Sequence, residues 1–246
     1  MIRALALALS LAALPAAAFD VEAMSPPERE AFGAEIRDYL LENPEVIVEA
    51  IGMLEAREAE RQANSDADLI AANAEALFED DHSFVGGNPD GDVTLVEFLD
   101  YRCGYCRQAH PIVGELLSSD GNIRLVVKEF PILGEASDRA SRFAIATKLV
   151  EGDEAYAALH DALMTMRGEM GTGPLTRLVG EMGFDAAAIA ERAASADVTR
   201  IIEANHALAR QMGINGTPSF IVGDRVLRGF LPLEGMEAVV SEAREG

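Results

Sequence analysis

The sequence predicts an α/β fold interrupted by helices and preceded by a helical arm, and three observations carry that prediction. Val93 to Leu99 is a near-continuous apolar run with one acid inside it, the pattern of a strand buried on both faces. It runs into a polar corner holding the only two cysteines of the 246 residues, Cys103 and Cys106, and a helical pattern follows to about Ser118. Ile123 to Phe130 is then a second apolar strand, and strand, helix, strand in that order implies a parallel βαβ unit.

Residues 1–18 read as a secretory signal peptide. Met1-Ile2-Arg3 gives a basic start, Ala4 to Leu14 an apolar middle, and Pro15-Ala16-Ala17-Ala18 a small-residue cleavage site near Ala18. Export to the periplasm is expected, where disulfides persist. With 20 Lys and Arg against 42 Asp and Glu, the formal charge of −22 argues against nucleic acid or anionic lipid as a partner, because binding those needs clustered cations.

Residues 19–80 are expected to be helical. Ser25 suits a cap, Pro26 and Pro27 the first positions, and Phe32, Ile36 and Leu40 recur at intervals of four. Asn43 then suits the N-cap and Pro44 the first position of another helix, with Val46, Ile47, Val48, Ile51 and Leu54 as its apolar stripe. Residues 55–63 are polar nearly all round, as in a solvated arm. An apolar helix pair set off by such an arm points to an oligomerisation module; packing on its own domain is the plainer alternative.

Residues 81–246 hold the α/β domain. Ser83-Phe84-Val85 adds a candidate edge strand, residues 86–91 form a loop by composition, and Pro111 should kink the cysteine helix. Lys128, odd in its strand, is read as pairing with Glu97 on the neighbouring strand, with snorkelling to the edge as the alternative. A helical insertion covers about 137–212, broken at Gly171-Thr172-Gly173-Pro174. The sheet resumes with a hairpin, Phe220-Ile221-Val222 and Arg225-Val226-Leu227 around Gly223-Asp224, and Leu233 to Ala243 closes the chain as a helix.

The chemistry is expected where the first buried strand ends. At the opening of a helix, unpaired N–H groups and the positive end of the dipole favour thiolate at Cys103, the species that attacks disulfides. Two intervening residues bring Cys106 close enough to resolve the mixed disulfide. Glu97 sits among Val, Leu and Phe, so a desolvated carboxyl with a raised pKa could exchange a proton with Cys106. Pro218, after Gly216-Thr217, is a candidate cis peptide that would turn the Thr217 backbone toward the cysteines; an ordinary trans proline ending a loop fits the same residues.

Two other classes compete. Both thiolates could hold Cu(I), whose preference for soft ligands fits an exported CxxC pair. His82, His110, His160 and His206 are scattered, show no ligand spacing with the cysteines and suggest no metal site; His110 reads as a surface or packing residue. A structural disulfide would leave Glu97 and the Thr217-Pro218 corner without a role.

Strand-Glu-CxxC-helix, a helical insertion, then Gly-Thr-Pro before a hairpin and final helix resembles the thioredoxin superfamily, and the insertion makes it similar to the DsbA-like branch. That resemblance implies a thioredoxin-like fold, Cys103 as nucleophile, Cys106 resolving, Glu97 in proton transfer, a cis Pro218, and Thr217 contacting substrate. Ile36 to Val46 resembles the leading region of the suppressor-of-copper-sensitivity protein C group, which implies a homo-oligomer, trimer or dimer. Oxidising members carry Pro-His between the cysteines and Val before the cis proline, whereas Gly104-Tyr105 with Thr217 is more similar to the disulfide isomerase pattern. The implied function is thiol-disulfide exchange on client proteins, isomerase-like, with Tyr105 at the substrate face, no cofactor, and an unidentified membrane redox partner.

Overall fold

The computed structural model describes residues 23–245, and the signal peptide expected at residues 1–18 lies outside them. The chain divides into two compact units, Met1–Glu58 and Ala59–Gly246. In the first, α1 (Pro26–Glu42) opens on a capping box in which Ser25 N donates to Glu28 Oε2 at 2.9 Å. Asn43, expected to cap the next helix, instead donates its side-chain N–H to Tyr39 O at 2.8 Å and closes α1. No residue of α1 is buried, and Ile36, Tyr39, Ile47, Val48, Ile51 and Leu54 are exposed. α2 (Glu45–Ala72) is one unbroken helix, so the polar residues 55–63 continue it.

Beyond α3 (Ala74–Phe78), the second unit is built on five strands among the described residues: β1 (Phe84–Gly87), β2 (Val93–Leu99), β3 (Ile123–Glu129), β4 (Ser219–Val222) and β5 (Arg225–Arg228). Their order is β1-β3-β2-β4-β5, with β2 and β3 parallel and every other pair antiparallel. α4 (Gly104–Asp120) makes the crossover between the parallel strands and runs unbroken through Pro111. The insertion comprises α5 (Glu135–Glu151), α6 (Asp153–Thr165), α7 (Thr172–Glu181), α8 (Ala186–Ala193) and α9 (Ala196–Gln211), and α10 (Leu233–Glu245) ends the fold.

β2 lies at the centre because both its faces are apolar. Leu95 and Leu99 pack into a cluster with Val113, Phe143, Leu159 and Val239, whereas Val96 and Phe98 pack with Leu77, Leu208 and Met212. Glu97 lies between Leu95 and Leu99 on the same face and so faces α4. β1 takes in Gly86 and Gly87, which composition assigned to a loop. At Gly87, φ is 64° and a Cβ would stand 2.4 Å from Ile123 O, so only glycine lets this edge pair with β3.

The expected Lys128–Glu97 pair does not form. Register places Glu97 opposite Val127 and Lys128 opposite Phe98, so the two side chains leave the sheet on opposite faces. Lys128, fully buried, donates to Ala76 O at 2.7 Å and pairs with Asp80 just beyond α3. Burial alone would push Asp80 up, but the Lys128 ammonium holds its carboxyl below the usual range. Buried Asp66 on α2 accepts both guanidinium N–H groups of Arg228 at 2.8 and 2.9 Å, which joins the C-terminal half of that helix to β5.

Candidate active site

Cys103 is the N-cap of α4, with extended backbone at φ −71° and ψ 120°. Its thiol donates to Thr217 O at 3.1 Å, across 114 positions of sequence. The Thr217–Pro218 peptide is cis, and Gly229 N donates to Pro218 O at 3.0 Å, which moors this corner to the end of the hairpin. Both cysteines are free thiols; Cys103 is 7% exposed and Cys106 fully covered one turn into α4. Burial pushes the Cys106 thiol well up, and the neighbouring Cys103 and Glu97 add to the rise. Tyr105, between them, is 65% exposed, and its ring lies 6.3 Å from that of Phe230.

Glu97 is 3% exposed and its Oε1 has no hydrogen-bond partner. An unpartnered buried carboxylate is costly to ionise, and burial, followed by the nearby Glu129, raises Glu97 to about 8.

Several residues that shape the site were not singled out from the sequence. Buried Asp100 at the β2–α4 corner accepts from Arg102 N at 2.7 Å, Ile132 N at 2.8 Å, Leu133 N at 3.0 Å and Ser137 Oγ at 2.8 Å, so one carboxyl ties the cysteine loop to the start of the insertion. Arg107 donates to Tyr101 O at 2.8 Å and Met166 O at 2.6 Å, a second tie. Glu129, two residues beyond Val127 on the face that Glu97 shares, accepts from Tyr101 Oη at 2.7 Å and Tyr156 Oη at 2.6 Å. Burial raises it to about 7 against these hydrogen bonds. Its signal was available: an acid inside an apolar strand, the same pattern that marked Glu97.

The scattered histidines are partly gathered. His110 of α4 and His160 of α6 have ring centroids 5.0 Å apart, and His160 is lowered to about 3 by burial and by His110. His206 packs its ring 4.9 Å from that of Phe130.

Residues 94–241 match the DSBA-like thioredoxin domain. The chain belongs to that family. Residues 28–61 match a second description, the N-terminal domain of the copper resistance protein ScsC. Among solved structures, this DSBA-like chain is similar to a thioredoxin-like oxidoreductase from Silicibacter pomeroyi DSS-3, with 42% identity and a TM-score of 0.66 over 70% of this chain and 98% of that one. It is similar also to the catalytic domain of Proteus mirabilis ScsC, with 26% identity and a TM-score of 0.67 over 73% of this chain and 99% of that one. Of curated proteins, it resembles the Na(+)/H(+) antiporter NhaA 1 of Salinispora arenicola, 31% identical over 166 residues that make up 68% of this chain. The chain spans about a quarter of the length of the curated relatives it matches. Among the described residues no helix is long and apolar enough to cross a membrane. The family is one of thiol-disulfide oxidoreductases with a thioredoxin fold, as the motifs implied.

Proposed function

We propose that this chain is an exported, periplasmic enzyme that exchanges disulfides in client proteins through Cys103, with an isomerase-like balance. The observation that carries the reading is the Cys103 sulfur at the tip of α4, 3.1 Å from the Thr217 carbonyl beside cis Pro218. A helix N-terminus favours negative charge. The Cys103 thiolate attacks one sulfur of a client disulfide, a bond forms between them, and the second client sulfur leaves as thiolate. A client backbone laid along the Thr217-Pro218 corner would meet this sulfur while Tyr105 and Phe230 offer it an aromatic edge.

Two exits follow. In isomerisation the client thiolate attacks elsewhere on the client, and a later client thiolate expels Cys103, so no net electrons move. In reduction Cys106 loses its proton to the Glu97 carboxylate and attacks the Cys103 sulfur, which forms the internal disulfide and frees the client thiol. Burial pushes the Cys106 thiol up, so it holds its proton until Glu97 takes it. Gly104-Tyr105 with Thr217, similar to the disulfide isomerase pattern, supports rearrangement over simple reduction. A membrane redox partner would keep the pair reduced.

The exposed apolar residues of α1 and α2, with the match to an ScsC N-terminal domain, support residues 19–80 as a module that assembles copies of the chain into dimers or trimers ahead of the domain at 81–246.

Cys106→Ala tests the enzyme reading. The variant should accumulate mixed disulfides with scrambled, disulfide-containing clients, visible on non-reducing gels; their absence, with Cys103 still alkylatable, would sink it. Holding Cu(I) between the two thiolates is the second reading, favoured by the copper-resistance description of the N-terminal match. Cu(I) titration of the reduced chain beside an insulin-reduction assay separates the two.

A further inference from the structure

One cavity shares only Glu97 with the proposed exchange site. It measures about 190 Å³ between α4, α6 and the sheet, and Glu97, His110, Val113, Leu125, His160 and Asp161 line it. A nitrogen of each imidazole and a carboxylate oxygen of Asp161 lie within 4.8 Å of one another. His110 Nε2 and Asp161 Oδ1 are already 3.1 Å apart, near the ~3.3 Å edge between ligands of a tetrahedral ion with ~2.0 Å bonds. We propose that His110, His160 and Asp161 bind a divalent transition-metal ion of borderline softness, such as Zn²⁺.

Four features favour an ion over a plain His–Asp pair. The donor set suits such a metal, since imidazole and carboxylate together match zinc better than the hard oxygen-seeking cations. The second imidazole carries the outer hydrogen bonding of a metal ligand. His160 Nδ1 is 3.1 Å from Tyr101 Oη, which gives its own proton to Glu129 at 2.7 Å. Tyr101 Oη therefore accepts from Nδ1–H, and Nε2 keeps its lone pair for the metal, oriented by a carboxylate one tyrosine removed. Glu97 supplies a buried, unpartnered oxygen to the same cavity. Asp161, with a side chain 71% exposed, gives an entry path from solvent. The ion would join α4, capped by Cys103 and carrying Cys106 in its first turn, to α6 of the insertion.

The full chain carrying Cys103→Ser and Cys106→Ser, free of any affinity tag, is titrated with ZnCl₂ by calorimetry, so that no thiol competes and the outcome is independent of the exchange reaction. One ion per chain is expected, with the ring resonances of His110 and His160 shifting together. His110→Ala, at a half-buried position that tolerates truncation, and Asp161→Asn should each weaken binding at least tenfold. Tyr101→Phe should weaken it about tenfold or more through His160. Circular dichroism confirms that each variant is folded. No binding at millimolar zinc, or binding that His110→Ala leaves unchanged because ions scatter over the acidic surface, would overturn the site.

Discussion

Glu97 shows how one side chain links stability to chemistry. Burial raises it to about 8 in the folded chain, from 4.5 when it is solvated. The folded state keeps a proton that the unfolded state releases between those values, so this group's stabilisation is complete below about pH 4.5 and is lost as pH rises toward 8. Glu97→Gln removes that loss. Urea unfolding between about pH 5 and about pH 8 should show the variant gaining on the parent by up to ~1.4 kcal/mol per pH unit; a constant difference would mean that Glu97 titrates normally. The same variant should slow formation of the internal Cys103–Cys106 disulfide from a trapped client, measured by stopped quench. Tyr105 makes the opposite case. At its exposed position Tyr105→Ala should change stability by less than ~0.5 kcal/mol yet slow refolding of a scrambled client roughly fivefold, an effect on client binding of ~1 kcal/mol.

Between elements, single charged groups hold the site in place. Asp100→Asn keeps the volume but exchanges one acceptor oxygen for a donor facing backbone N–H groups, so the join between the cysteine loop and the insertion should weaken by about 2–3 kcal/mol in urea unfolding. Lys128 joins β3 to the segment after α3. Lys128→Met strands the Asp80 carboxylate and should cost about 3 kcal/mol, most of it recovered in the Lys128→Met, Asp80→Asn double variant. Failure of the second change to rescue would mean that the ammonium matters for packing and not for its charge. The sequence misread this lysine for a definable reason. Its spacing within β3 was visible, but which face it took depended on the one-residue register between β2 and β3, and a slip of one reverses every side chain.

For the whole molecule, the proposed assembly makes a separable prediction. Ile47→Asp with Ile51→Asp, both at exposed apolar positions of α2, should lower the mass in solution to that of one chain while thiol reactivity at Cys103 survives; an unchanged mass would remove the oligomer reading. The sequence by itself determined the elements and their kind: the doubly buried strand, the helix that opens on Cys103, the inserted helices, the hairpin around Gly223 and the family to which these belong. Hydrophobic periodicity, caps and glycines act over a few residues, so they can be read locally. Tertiary structure alone decided that Thr217 O meets the Cys103 sulfur, that Lys128 turns to Asp80, that Asp100 gathers Ile132, Leu133 and Ser137, and that His110 and His160 converge. Each of these joins residues tens of positions apart, and a chain fixes such neighbours only when strand register and helix packing choose which faces meet.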